Sequence, residues 1–462
     1  MPTECTTKPL QRELADSIIR LAEPDDLRIL IACGAKVNDA VTQGLRPIHY
    51  AVWQRYTEAV RLLLVRGCDV NSTDDCGYSP LHLAAEHGYT EMMKMLLENG
   101  AKTDYRDNIS DGVLYPATTL SEEPLHLAIK NQHYNAARIL LENGANPNAR
   151  YFFGAEINLI SPLDVEYLNL LLTYGADPDA RDRQGLTPLM RACRTPHTMQ
   201  SVLCLIKHGA SVNAMTDERH DHRSVLHYAV LSGSREICLL LLKQGAKVNF
   251  PPEYQKPTPL DLAILRGDPD LVTLFLEAGA NVNASSPIIG SPLHVVCSDH
   301  IVNRLTIMKL LLDHGADPNK VVISDDGMPL KSVLGEYLSS NTELENEVIK
   351  TLMRYGAKVV FKSQFRHPLG ILNCLQSAAQ DERLFTDLAD TAEDFDPPMI
   401  RRCAALSAEQ KEYLLHLSRN PNSLQHQTRL TLRKLLGKRL PLIVNELDLP
   451  KILVHMLLFE IS

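Results

Sequence analysis

The chain has 462 residues, 45% of them hydrophobic and 22% charged, with a net charge of −9. That length suits roughly two or three ordinary domains or one long array, and the negative balance argues against a chain that binds polyanions over its whole surface. Aromatic residues make up 5% of the chain, with one Trp, which suits a helical protein built on Leu and Ala better than a β-sandwich.

The first residues, MPTECTTKPLQRELADSII, carry an acidic residue and no apolar run, so they do not read as a secretory signal. The longest apolar stretch, ILVHMLLF at 452–459, is too short to span a bilayer. The 10 Cys are scattered without a C-x-x-C pair, which points to thiols in a reducing compartment rather than a disulfide framework or a zinc site. The expected location is the cytosol or nucleus, without membrane or nucleic-acid partners.

From residue 10 to about 378 two strings alternate. One is a Pro-Leu start, seen in RPIHYA (46–51), SPLHLA (79–84), EPLHLA (123–128), SPLDVE (161–166), TPLMRA (187–192), SVLHYA (224–229), TPLDLA (258–263), SPLHVV (291–296) and MPLKSV (328–333). The other is an end string such as LLENGANPN (140–148) or LLKQGAKVN (241–249). Pro and Gly are 20 residues apart at 47→67, 80→100, 124→144 and 259→279. Pro belongs in the first turn of a helix, the Ser/Thr before it can cap that helix, and the Gly fits a left-handed C′ position after a second helix. The pattern predicts a degenerate first unit at 10–44, nine clear units, and a worn terminal unit starting at His367-Pro368-Leu369.

Three departures from register stand out. Pro162 reaches Gly175 after 13 residues, so this unit should lack about two helical turns; Pro292→Gly315 and Pro329→Gly356 span 23 and 27, so helices or turns there carry insertions. The segment YRDNISDGVLYPATTLSEE (105–123) is an enlarged finger between units.

No catalytic motif is present: there is no GxxxxGK[ST], HExxH or GxSxG. His49, His82, His126, His227 and His294 hold the same place in the Pro-Leu string, which makes them structural, bonded to neighbouring loop backbones. The cluster at 217–223 offers Asp217, His220, Asp221 and His222 to a metal, but it lies in a charged finger and no metal or other cofactor is expected. The Asn that ends each unit is expected to bond local backbone.

A partner protein would meet the fingers and the ends of the first helices. Those places hold Trp53, Glu86, His87, Lys130 and Arg266, with Phe152 and Phe153 in the finger RYFFGAE. Trp is the side-chain type most enriched at binding hot spots; Trp53 serves a partner or packs on the edge of the first unit. Phe152 and Phe153 serve a partner or fill the space left by the shortened unit.

The stretch ERLFTDLADTAEDFDPP (382–398) reads as an acidic linker, followed by a short helical segment to 419. Residues 420–462 hold six Lys/Arg against three Asp/Glu, a net of +3. Within them SLQHQTRLTLRKLLG reads as a helix capped by Asn422 or Ser423 and closed by Gly437. Leu424, Thr428, Leu432 and Leu435 fall on one stripe of it. Three helices in about 40 residues are too few for an independent core.

The two repeated strings resemble the ankyrin repeat, and the C-terminal 43 residues resemble a SOCS box. Together they make the chain similar to the ankyrin repeat and SOCS box family. The implied fold is all-α: an ankyrin solenoid of about 10–11 repeats (10–378), the linker segment 379–419, and a three-helix SOCS box (420–462). Ser423, Leu424 and Leu432 match the family's BC box (423–432), with Thr428 where that box has Cys; Leu447, Leu449, Pro450 and Leu453 match its cullin box (about 447–459), with Asp448 in place of a Pro. The resemblance implies a non-catalytic substrate receptor of a cullin-RING ubiquitin ligase. Its partners would be elongin C and elongin B, cullin five rather than cullin two, the RING protein and a protein substrate. It also implies that the repeat-end Asn are potential acceptors of hydroxylation. The competing reading is a non-enzymatic scaffold or inhibitor whose last helices only cap the stack.

Overall fold

The structure, a computed structural model, describes residues 10–105, 122–151, 153–251, 253–420, 427–428, 431–432, 443–444, 449–451, 454 and 457–458. The enlarged finger lies almost wholly outside them. The chain forms two compact units, Met1–Ser211 and Val212–Ser462.

Each unit is built from antiparallel helix pairs. The first holds Leu10–Ile19 with Pro24–Ala32, Pro47–Trp53 with Thr57–Val65, Pro80–Glu86 with Thr90–Glu98, Pro124–Lys130 with Tyr134–Glu142, Glu156–Leu159 with Val165–Thr173, and Pro188–Arg194 with Met199–Lys207. The second holds Val225–Ser232 with Arg235–Lys243, Pro259–Leu265 with Pro269–Glu277, Pro292–Cys297 with Arg304–Asp313, and Val333–Ser340 with Asn346–Arg354. Neighbouring first helices pack on one another from Leu10–Ile19 to Pro124–Lys130 in the first unit and throughout the second. Their Ala51, Ala84, Ala128, Ala192, Ala229 and Ala263 are buried, and side chains this small let backbones stack closely.

Local chemistry fixes each pair. Ser79 Oγ accepts from the His82 backbone N–H at 3.3 Å, and His82 Nδ1 accepts from the Ser79 N–H at 3.1 Å, a reciprocal cap. The same Nδ1 bond recurs at His49, His227 and His294. At the far end of the pair Ala101 N–H reaches Leu96 O and Gly100 N–H reaches Leu97 O, both at 3.0 Å, a Schellman closure. A Cβ at Gly100 would meet nothing within 4 Å, so its φ of +87°, not lack of room, requires glycine.

The repeat-end Asn do more than the local bonding expected of them: they reach the next pair. Asn283 donates Nδ2–H to Gly315 O at 3.1 Å and accepts the Asp317 N–H at 2.8 Å. Asn38, Asn71, Asn148, Asn213, Asn249 and Asn319 make the same two bonds to their own following pair. Asp104 and Asp179 stand in this place elsewhere and accept the N–H; a carboxylate has no donor for the Gly carbonyl. Asn283→Asp is therefore expected to cost about 1 kcal/mol and Asn283→Ala about twice that, read from urea midpoints of the full chain. Equal costs would show that the donated bond carries nothing.

Three expectations need correction. SPLDVE does not open a helix: that unit's first helix is Glu156–Leu159, only four residues long, and Pro162 lies in the turn after it. Its second helix, Val165–Thr173, has the full nine residues, so the shortening falls on the first helix alone. MPLKSV likewise lies in a finger, with Pro329 bridged to Ile323, and Ser332 caps the helix that follows. The Pro292 unit carries its insertion in the inter-helix turn, 298–303.

The worn terminal unit does not form a helix at His367. Val360 bridges Gly370 in parallel, and a Cβ at 370 would sit 2.4 Å from the Lys362 carbonyl, so this chain crossing needs glycine. The acidic stretch read as a linker is folded. Glu382–Asp390 is a helix capped by Asp381, burying Leu384, Phe385, Leu388 and Ala389. Ala392–Phe395 pairs in parallel with Val359–Phe361, Phe361 and Phe395 stack at 5.8 Å, and Arg366 holds Asp396 at 2.9 Å. Helices Pro397–Arg402 and Ala408–Arg419 follow. Among the described residues no helix is long and apolar enough to cross a membrane.

Candidate functional site

The ends of the first helices in the first unit form an aromatic and charged row. Trp53 is 60% exposed; its ring meets His87 edge-on at 5.6 Å rather than packing on the first pair. His87 stacks on Tyr89 at 5.3 Å, and the Arg55 guanidinium lies 5.3 Å over the Tyr89 ring. Lys130 is exposed but ion-paired with Glu122 at 2.9 Å, and Glu86 is half-buried, with its carbonyl bonded to His133 Nε2. In the second unit Arg266 is exposed and donates to Leu231 O at 3.0 Å, leaving Leu231 and Leu265 as apolar neighbours at the surface.

Phe153 is 63% exposed, so it does not fill the space beside the shortened helix; Ile157 and Ile160 are the buried side chains there. Phe152 lies outside the described residues. The finger contributes Tyr151 instead, buried with its ring 4.6 Å from His126.

Sequence reasoning missed the most buried charge of this region. Glu156 is 0% exposed and its carboxylate faces His126 Nδ1 at 3.1 and 3.2 Å. His126 thus departs from its sister histidines, whose Nδ1 serves their own cap. Elsewhere burial keeps the imidazoles neutral: His82 and His227 are held down at about 4, and His49 and His294 are lowered too. His49, His227 and His294 bond through Nε2 to the next finger at Tyr78 O, Pro257 O and Lys331 O. Asp261 takes the histidine's place in one unit, and burial raises its carboxyl. Glu156 is the first residue of its helix, the place that Pro fills in the sister repeats, so the recurring histidine spacing could not have found it.

The cluster at 217–223 is held by charge pairing. Asp221 meets Lys256 at 3.0 Å and Arg223 at 3.4 Å, which lowers its carboxyl. Among the described residues no three His, Cys, Asp or Glu gather as metal ligands.

Of the C-terminal residues singled out by sequence, Ser423, Leu424, Leu447 and Leu453 lie outside the described residues. Thr428 is exposed. Leu432, expected on the partner-facing stripe, is half-buried against Val444 and Leu457, where Leu449, Val454 and Leu458 also pack. It therefore serves the box's own core. Pro450 is exposed. The box is tied to the last helix pair by Arg354, whose Nε donates to Leu458 O at 2.7 Å while its Nη1 meets Glu347 at 2.7 Å.

Comparison with known proteins agrees with this layout. A family model of ankyrin repeats matches residues 19–107, 48–151, 162–252 and 217–286, a single ankyrin repeat matches 291–322, and a SOCS box matches 420–458. The chain is 34% identical over 194 residues to the B-cell lymphoma 3 protein homolog of Mus musculus, covering 42% of this chain and 33% of that protein. It is 27% identical over 335 residues to ankyrin repeat and SOCS box protein 16 of Homo sapiens, covering 63% of this chain and 71% of that protein. The chain thus spans about a third of the mouse relative's length. Among solved structures, the human ASB11 ankyrin repeat domain matches 51% of this chain and 97% of its own at 24% identity and a TM-score of 0.38. The ankyrin repeat domain of Bcl-3 matches 52% and 99% at 22% identity and a TM-score of 0.41. With ankyrin repeats matched over more than half its length and a SOCS box after them, the chain belongs to the ankyrin repeat and SOCS box family.

Proposed function

We propose that this chain is the substrate-recognition subunit of a cullin-RING ubiquitin ligase. Its repeats hold a protein substrate, and its SOCS box binds elongin C and, through it, elongin B. The observation that carries this reading is the order of the two modules: a repeat stack whose exposed helix ends carry Trp53, His87 and Arg266, and a C-terminal box with a core of its own. A mere cap would bury its helices against the stack and would need neither box motif. The chain does no bond chemistry in this reading; it raises the effective concentration of a substrate lysine beside a charged ubiquitin carrier.

Leu424 enters a pocket of elongin C in a helix-in-groove mode, with Ser423 and Thr428 beside it. Thr428 brings a hydroxyl that needs a bond once covered. Since Leu432 packs at home, it shapes the helix rather than anchoring the partner. The segment Leu447, Leu449, Pro450 and Leu453 meets the cullin, with cullin five favoured and Asp448 as the feature that keeps cullin two in the comparison.

Co-purification tests this. Wild type is expected to retain elongins B and C, and Leu424→Asp to lose them at least tenfold while keeping its far-UV circular dichroism. Elongin capture that is absent in wild type, or unchanged in the variant, would leave the C-terminal helices as a cap on a scaffold.

A further inference from the structure

The histidine place in the Pro-Leu string links fingers. In three repeats its Nε2–H bonds to the carbonyl of the residue just before the next helix cap: Tyr78, Pro257 and Lys331. At 261 the place holds Asp, and the corresponding residue before the next cap, Ser291, is Gly290. A carboxylate has no N–H to give. Asp261 Oδ2 accepts the Thr258 N–H and Oγ1–H, both at 2.8 Å, while Oδ1 is shielded from water and has no hydrogen-bond partner. The residue is 5% exposed. An unmet buried acceptor of this kind destabilises the fold until a donor reaches it.

Beside it lies a cleft of about 390 Å³, lined by Phe250, Tyr254, Lys256, Asp261, Ser286 and Gly290 among others. Phe250 and Tyr254 stack with ring centroids 4.5 Å apart and planes 24° apart. The Lys256 charge is held by Asp221 at 3.0 Å. Where its sister repeats place an imidazole N–H, this one has an acceptor without a donor, next to an aromatic pair.

We propose that this cleft takes an arginine side chain of a protein held on the repeats. The guanidinium is flat, offers several donors in a fixed fork and stacks on aromatic faces, which suits both walls. Because Oδ1 is shielded, seating the donor requires the Phe250 and Tyr254 rings to shift, so binding and ring position are coupled. The choice of a protein's arginine rests on the repeats being the recruiting surface.

The test uses the full chain and blocked tripeptides, acetyl-Gly-Arg-Gly-amide and its Lys counterpart, titrated by isothermal calorimetry at matched salt. No elongin or cullin is present, so failure here leaves the elongin result standing. The arginine peptide is expected to bind saturably and at least fivefold tighter than the lysine one. Asp261→His restores the side chain of the sister repeats, so it should fold with an unchanged or higher Tm and bind at least tenfold more weakly. Asp261→Asn, which removes the charge at nearly constant size, should lose binding likewise, and Phe250→Ala should weaken it several-fold. No saturable binding to wild type, equal binding by Asp261→His, or equal affinity for the lysine peptide would each overturn the assignment.

Discussion

His126→Leu is expected to lower the stability of the first unit by about 3–5 kcal/mol, because it strands a buried carboxylate. Glu156 is 0% exposed and His126 faces it from 3.1 Å. The double variant His126→Leu/Glu156→Leu removes the charge together with its partner and should recover most of the loss, since a well-packed apolar pair is often as stable as a buried ionic one. Urea unfolding of the full chain followed by circular dichroism gives the comparison, read on the transition that moves. If the double variant is as unstable as the single, the pair is not the source of the effect and packing around the four-residue helix is.

The second large effect is with pH. An unfolded chain protonates its histidines near pH 6.5. The folded chain holds His82 and His227 neutral down to about 4, and His49 and His294 are lowered in the same direction. Between those values the unfolded state binds more protons, so stability falls as pH drops from about 6.5 towards 4 and is unaffected by these groups above that window. His82 and His227 each contribute on the order of 3 kcal/mol across it. Asp261 works the other way: its raised carboxyl favours the folded state at low pH, and that contribution is lost as pH rises through its folded value. Urea midpoints measured from pH 7.5 to 4.5 should therefore decline, and His82→Asn, which keeps an acceptor for the Ser79 N–H, should flatten the slope by about one proton. A wild-type profile without slope in that range contradicts the neutral-histidine account.

The repeat architecture was legible because its signals are local and repeated: Pro at the first turn, Gly at C′ and a 20-residue spacing follow from backbone chemistry that every pair must satisfy. What escaped was non-local. SPLDVE and MPLKSV carry the right letters in the wrong place, since a Pro-Leu string fits a turn as well as a helix start, and only the caps at Ala155 and Ser332 show where those helices begin. The stretch 382–398 read as a linker by its acidic composition, yet Leu384, Phe385, Leu388 and Ala389 have helical spacing and all are buried; periodicity was the better guide there than charge. The Asn rail was visible as a recurring letter but not as a bond to the next pair, because its partner lies about one repeat away. At the candidate sites, Trp53 stood out by rarity, whereas Glu156 matters through burial against His126 and Asp261 through an unmet acceptor, which no single position in a sequence reports.

The tie from Arg354 to the Leu458 carbonyl has a consequence for the life of the protein rather than for its chemistry. It joins the last helix pair of the second unit to the end of the box with one guanidinium, placed where a helix terminus favours positive charge. A chain whose final repeats fail to close gives up this anchor. In the proposed role, recruitment through the box then depends on the closing repeats as well as on the box's own residues.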